Sequence, residues 1–172
     1  MNLVKLLVAE DDYSTADLYR LILEGRGHDV TVVNRGEQCL KTYSEQLTIV
    51  RDSHAAHEHE SPYDSVILDY KLPDIDGLQV AKEILTLNLH QRIILVSVYA
   101  SEILSQASGG SNLSLEVLEK PISNQVLIDT VEDTATFKEL KQFDLNIGAF
   151  KKGGFSHEQL REVSDILKNV KA

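Results

Sequence analysis

Short, almost continuous apolar runs alternate with stretches of helical periodicity along most of this chain, and no other feature narrows its fold as much. Leu3–Ala9 is nearly all apolar and β-capable. Asp12–Leu23 then places Ala16, Leu18, Tyr19, Ile22 and Leu23 at helical spacing, with Gly25 and Gly27 to end the helix. Asp29–Val33, Val66–Leu68, Ile93–Val96 and the weaker Leu113–Leu118 read as further strands, the third bounded by Pro62 and Pro73. Gly36–Leu47, Leu78–Leu87 and Ser101–Ala107 read as helices, and Ser123 is placed to cap a last long helix running toward Leu140. Strands alternating with helices imply parallel strands, right-handed crossovers and helices on both faces of one sheet. Strands that are apolar throughout, rather than at every second position, imply burial on both faces.

Two segments break this rhythm. Thr48–Ser61, with its RDSHAAHEHES stretch, is polar and aperiodic and reads as an insertion loop. Its His54, His57 and His59, with Glu58 and Glu60, offer ligands for Zn²⁺ or Ni²⁺, but the spacing matches no ligand template and a solvated loop is the simpler reading. From Phe143 onward, a glycine-rich turn (Lys151, Lys152, Gly153, Gly154) leads to Ser156–Val170. There Ser156 and Gln159 make a capping box, and Leu160, Val163, Ile166, Leu167 and Val170 form one apolar stripe. Such a stripe is covered by its own domain or by a second copy. The chain thus divides into a domain at 1–142, interrupted at 48–61, and a helical extension at 143–172.

Composition excludes several classes. No apolar stretch approaches the roughly 18 residues of a membrane span. The opening MNLVKLLVAEDD stops at an acidic pair, which suits a core strand better than a signal peptide. The single cysteine, Cys39, forms no internal disulfide and suits a reducing cytosol, so a cytoplasmic location is expected. A net charge of −10 disfavours nonspecific nucleic-acid binding, because phosphates are repelled. It suits divalent cations and basic partner surfaces.

The polar residues that end the strands are the candidates for chemistry. In an α/β sheet the carboxyl ends of the strands open into the ligand crevice. Glu10 and Asp11 follow the first strand, Asp69 ends the third, Ser97 ends the fourth, and Lys120 follows the fifth, just before Pro121. Each residue alone has an ordinary reading, as a turn residue, a cap or a solvated charge. As an ordered set they meet on one rim. Three carboxylates there repel one another, and Mg²⁺ relieves that repulsion with oxygen ligands and retained waters. A hydroxyl and an ammonium on the same rim can hold phosphoryl oxygens. Asp12 reads as the cap of the first helix, Asp74 and Asp76 as turn residues before Gly77.

These residues resemble a known family. LLVAEDD, VILDYKLPDIDGLQV, IILVS and LEKP are similar to the receiver domains of two-component response regulators, over roughly Asn2 to Leu140. The resemblance implies a flavodoxin-like, doubly wound, five-stranded parallel sheet of order 2-1-3-4-5. It implies that Asp69 accepts a phosphoryl group and also binds Mg²⁺, with Asp11 as a direct ligand, Glu10 as a ligand through water, and Lys71 through its backbone carbonyl. Ser97 is then the switch hydroxyl, and Lys120, joined to Pro121 by a cis bond, pairs with the phosphoryl group. The implied partners are a sensor histidine kinase and a downstream protein, with a homodimer open to the tail helix and no direct nucleic-acid or membrane contact. The implied chemistry is self-phosphorylation and autodephosphorylation, with no outside substrate turned over.

The chain departs from the family at three places. Val117 stands where an aromatic switch residue is usual, with Tyr99, two after Ser97, as the candidate substitute. Val98 stands where Ala or Gly usually follows the hydroxyl residue. GGSNLSLEV replaces a small-residue turn before the fifth strand. Two rivals follow: a pseudo-receiver scaffold that never uses phosphate, and a phosphohydrolase working through an aspartyl phosphate. The complete set of Glu10, Asp11, Asp69, Ser97 and Lys120 argues against the first, and the lack of a DxDx[TV] motif after the first strand argues against the second. No basic recognition helix is present in the tail, so output through protein contacts is expected.

Overall fold

The computed structural model describes residues 3–53, 60–100, 103, 115–134 and 157–171, with side chains over 161–169 in the last segment. The elements are β1 (Lys5–Ala9), α1 (Tyr13–Gly25), β2 (Asp29–Val33), α2 (Gly36–Asp52), β3 (Ser65–Asp69), α3 (Gly77–Leu87), β4 (Ile93–Ser97), β5 (Leu115–Glu119), α4 (Asn124–Glu132) and α5 (His157–Lys171). All five strands are parallel, in the order β2-β1-β3-β4-β5. This is the doubly wound flavodoxin-like arrangement that the resemblance implies.

Side chains alternate across a strand, and here both sets are buried. Leu7, Ala9, Val66, Leu68, Ile93 and Leu95 join one core with Cys39, Tyr43 and Leu47 of α2 and Val80, Ala81 and Ile84 of α3. Leu6, Val8, Ile67, Ile94 and Val96 join the other with Tyr19 and Leu23 of α1 and Leu127 and Val131 of α4. Each fully buried Leu or Ile side chain contributes about 1.5–3 kcal/mol of transfer free energy, so the three central strands are the stable frame on which the rim is built. Burial pushes the Cys39 thiol up to about 12, which leaves it protonated and unreactive at neutral pH.

Several boundaries differ from those expected. α2 continues to Asp52, so residues 48–52 of the expected loop are its last turn. Thr48 donates its hydroxyl to the Ser44 carbonyl, and Arg51 donates to the carbonyl of Leu87 at 2.8 Å. Apolar periodicity stops after Leu47 because this end of the helix faces water, not because the helix stops. His54, His57, Glu58 and His59 lie outside the described residues. So does most of the helix expected over Ser101–Ala107, although Ala100 and Ile103 are buried. α4 ends at Glu132, short of Leu140, where Asp133 leaves the helical conformation. In the tail, the Ser156–Gln159 capping box and the side chains of Leu160 and Val170 lie outside the described residues. Arg161 pairs with Asp133 at 2.9 Å, which attaches α5 to the end of α4. Ser164 is buried and Ile166 is 61% exposed, so Ile166 is not covered by this chain's own domain.

The two aspartates expected in a turn are helix caps. Asp76 accepts from the Gln79 N–H and starts α3. Asp74 accepts from the N–H groups of Gly36 and Glu37, at 2.8 and 3.0 Å, and from that of Ile75. It therefore caps α2 from another loop, because Arg35 at that helix start provides no side-chain cap. Burial alone would raise the Asp74 carboxyl, but these N–H donors outweigh it and hold the group at about 2, below its ordinary 3.8. A depressed carboxyl stabilises the fold above its unfolded value and loses that contribution as pH falls through the folded one. Asp74→Ala should cost about 1 kcal/mol at neutral pH, as for other lost caps. In urea titrations the gap between the two proteins should close as pH falls from about 4 toward 2. A gap that stays constant over that window would show that the ionised carboxylate is not what stabilises this junction.

Candidate functional site

The rim at the carboxyl ends of the strands is set by backbone register. The Glu10 N–H donates to the Val33 carbonyl, the Tyr70 N–H to that of Val96, and the Lys120 N–H to that of Ser97. Four adjacent strands thus bring Asp69 and Ser97, the last residues of β3 and β4, beside Glu10 and Lys120, which follow β1 and β5. Glu10, Asp69 and Ser97 are buried there, and Asp11 is exposed. Gly77 is required on the far side. The start of α3 comes so close to the end of β3 that its N–H donates to the Tyr70 carbonyl, and a Cβ at 77 would collide with the carbonyl oxygen of Asp69.

Lys120 is the centre of the arrangement. Its Nζ lies 2.8 Å from Asp69 Oδ1 and 2.9 Å from Glu10 Oε2. Burial alone would lower this ammonium, but its hydrogen bonds and charge contacts with Asp69 and Glu10 raise it well above its ordinary value. Burial raises the Glu10 carboxyl above its ordinary value, against the pull of Lys120 and with the added repulsion of Asp69. Its Oε1 also accepts from the Asp12 N–H, while Asp12 caps α1 by accepting from Thr15. The Lys120–Pro121 bond is cis, as the resemblance implies.

Carboxylate oxygens of Glu10, Asp11 and Asp69 lie within 4.8 Å of one another. Hard oxygen donors converging beside the Lys120 ammonium suit Mg²⁺, which takes a few carboxylates and keeps its waters. The donor set fits that ion.

The remaining site residues sit at the mouth. The Ser97 hydroxyl accepts the Tyr99 N–H at 2.9 Å. Lys71 stands with its Nζ 3.4 Å from the Tyr99 hydroxyl and 4.9 Å from the ring centre. Val98 is 54% exposed, so it is not packed into the neighbouring core. Val117 is half-buried in β5 against the core. The pairing of Lys71 with Tyr99 has no signature in the sequence, because it joins two loops 28 residues apart.

Fold and site together define a response regulator receiver domain, and the chain belongs to that family: the family's model matches residues 6–132. Among curated relatives, the chain is 26% identical over 129 residues to the transcriptional regulatory protein ZraR of Escherichia coli (strain K12), covering 75% of this chain and 26% of that protein. It is 27% identical over 135 residues to the sensory/regulatory protein RpfC of Xanthomonas campestris pv. campestris, covering 77% of this chain and 16% of that one. The match thus spans about a quarter or less of these relatives. Among solved structures, a sensor protein from Polaromonas sp. JS666 superposes with a TM-score of 0.60 at 28% identity, covering 76% of this chain and 94% of that one. A receiver domain protein from Clostridium thermocellum gives a TM-score of 0.60 at 23% identity, covering 81% and 99%, and shares the fold. Among the described residues, no helix is long and apolar enough to cross a membrane.

Proposed function

We propose that this chain is a phosphorylation switch: Asp69 accepts a phosphoryl group from a phosphohistidine of a sensor histidine kinase, and the modified domain regulates a protein partner. The observation that carries this reading is the contact of Lys120 with both Asp69 and Glu10 beside a third carboxylate, Asp11. A carboxylate oxygen of Asp69 attacks phosphorus, the phosphorus–nitrogen bond breaks, and the imidazole keeps the electron pair. Bound by Glu10, Asp11, Asp69 and the Lys71 carbonyl, Mg²⁺ would neutralise charge on the phosphoryl oxygens. Lys120 holds another of those oxygens, so the contribution of the site is positioning plus electrostatics. Water later attacks phosphorus, the bond to Asp69 breaks and the carboxylate is restored. No outside substrate is turned over. Residues from the kinase and the partner are not needed for loading by a small donor, which makes the test direct. With Mg²⁺ and acetyl phosphate, intact-mass measurement should show one added phosphoryl group, absent from Asp69→Asn. Labelling that persists in the variant would refute Asp69 as the acceptor.

A further inference from the structure

We infer that Tyr99 and Lys71 form a latch across the mouth of the site, which holds the Ser97 hydroxyl in its resting position and opens when Asp69 is phosphorylated. This rests on the phosphoacceptor reading above. The Ser97 hydroxyl, buried at the end of β4, is tied to the Tyr99 N–H at 2.9 Å. The Tyr99 ring is in turn tied to the Lys71 ammonium, 4.9 Å from its centre and 3.4 Å from its hydroxyl. Lys71 sits two residues beyond Asp69, on the loop that leaves β3. The latch therefore links the loops after two neighbouring strands and runs from the acceptor's own loop to the switch hydroxyl. On the solvent side of this turn the Val98 and Tyr99 side chains are both exposed, while the Tyr99 carbonyl accepts from the Ile103 N–H and Ala100 is buried, which fixes the turn's far end. On β5, Val117 supplies no aromatic ring to follow a movement of Ser97, so Tyr99 is the ring attached to that hydroxyl.

The physical reason for opening is a competition for Lys71. An ammonium beside a tyrosine face is held by the ring quadrupole, a weak attraction at an exposed site. A phosphoryl group on Asp69, two residues before Lys71, adds a doubly charged competitor for the same ammonium, and charge–charge attraction exceeds charge–quadrupole attraction at similar distance. Lys71 turns from the ring to the phosphoryl oxygens. Ser97 turns to donate its hydroxyl proton to another of them. With both contacts gone, the Tyr99 ring and the exposed side of the 98–99 turn can take a second position, pivoting on the Tyr99 carbonyl that the Ile103 N–H holds. Tyr99 is thus a positioning residue, acting through Ser97 and Lys71.

Amide exchange of the turn, read with beryllofluoride and Mg²⁺ as the phosphoryl mimic, tests the latch. In the unmodified protein the Tyr99 amide should be protected without ligand and exchange faster when beryllofluoride is added. Lys71→Met should give fast exchange without ligand, while Lys71→Arg, whose guanidinium stacks on aromatic faces, should restore protection. Tyr99→Leu should bind beryllofluoride about two- to fivefold more tightly, because no cation–π contact has to be broken. An unmodified protein that responds to beryllofluoride, with Lys71→Met as protected as the parent, would overturn the latch alone. An unmodified protein with no response to beryllofluoride or acetyl phosphate would overturn the phosphoacceptor reading, and the switch with it.

Discussion

Arg92→Ala is expected to lower the free energy of unfolding by about 3–5 kcal/mol, the range for breaking a buried ion pair from one side. Arg92 and Glu116 are 2% and 6% exposed at the amino-terminal side of the sheet, opposite the functional rim. They meet as a fork, Nε to Oε1 at 2.8 Å and Nη2 to Oε2 at 3.0 Å. The same guanidinium donates to the carbonyl of Thr130 at 2.7 Å and to that of Val131 at 3.5 Å, and it reaches the Ser65 hydroxyl. The last carbonyls of a helix lack partners within it and carry its negative dipole end. Arg92 therefore joins β3, β4 and β5 to the end of α4. Removing it takes the forked partner from a buried Glu116 carboxylate and the guanidinium donors from the Thr130 and Val131 carbonyls. A domain of this kind is stable by only about 5–15 kcal/mol, so the variant should unfold at much lower urea. Arg92→Met combined with Glu116→Leu should recover much of the loss, since apolar replacement of a whole buried pair is often neutral. A loss below about 1 kcal/mol for Arg92→Ala would show that the pair does not hold α4 on the sheet.

Lys120→Met should slow loading of Asp69 by about 10²–10³-fold, equivalent to roughly 2.7–4 kcal/mol of barrier, as for loss of one preorganised charge-stabilising donor. In the resting protein Lys120 balances Asp69 and Glu10 at 2.8 and 2.9 Å. On the proposed mechanism, the same ammonium would already be positioned for the phosphoryl oxygens and would need little reorganisation. The variant leaves two buried carboxylates without the Lys120 ammonium between them, so the Glu10 carboxyl should rise further. Loading by acetyl phosphate, followed by intact mass at several Mg²⁺ concentrations, reads the effect. Thermal unfolding of the same samples separates it from loss of fold. A rate within about threefold of the parent would remove Lys120 from the transfer step.

Much of this protein was legible in its residues because the information is local or periodic. Unbroken apolar runs such as Leu6–Ala9 and Val66–Leu68 can be buried only between two helical layers, which dictates a parallel sheet covered on both faces. Polar residues at the ends of such runs must emerge at the carboxyl edge, so residue order alone puts Glu10, Asp69, Ser97 and Lys120 on one rim. Hydrophobic period carries no information about helix residues that face water, so the last turn of α2 has no helical signature in its residues.

Other features have no local signature. Asp74 looks like any turn aspartate, and only the approach of its loop to the start of α2 makes it that helix's cap. Arg92 and Glu116 look like solvated charges until β4 and β5 lie side by side and α4 closes over them. Lys71 and Tyr99 meet only because β3 and β4 are neighbours in the sheet. The sequence by itself determined the strands, their burial and the chemistry available at the rim, because burial and period act over a few residues. The tertiary structure alone decided which charges pair, because ion pairs and caps depend on distances between segments that the chain brings together only on folding.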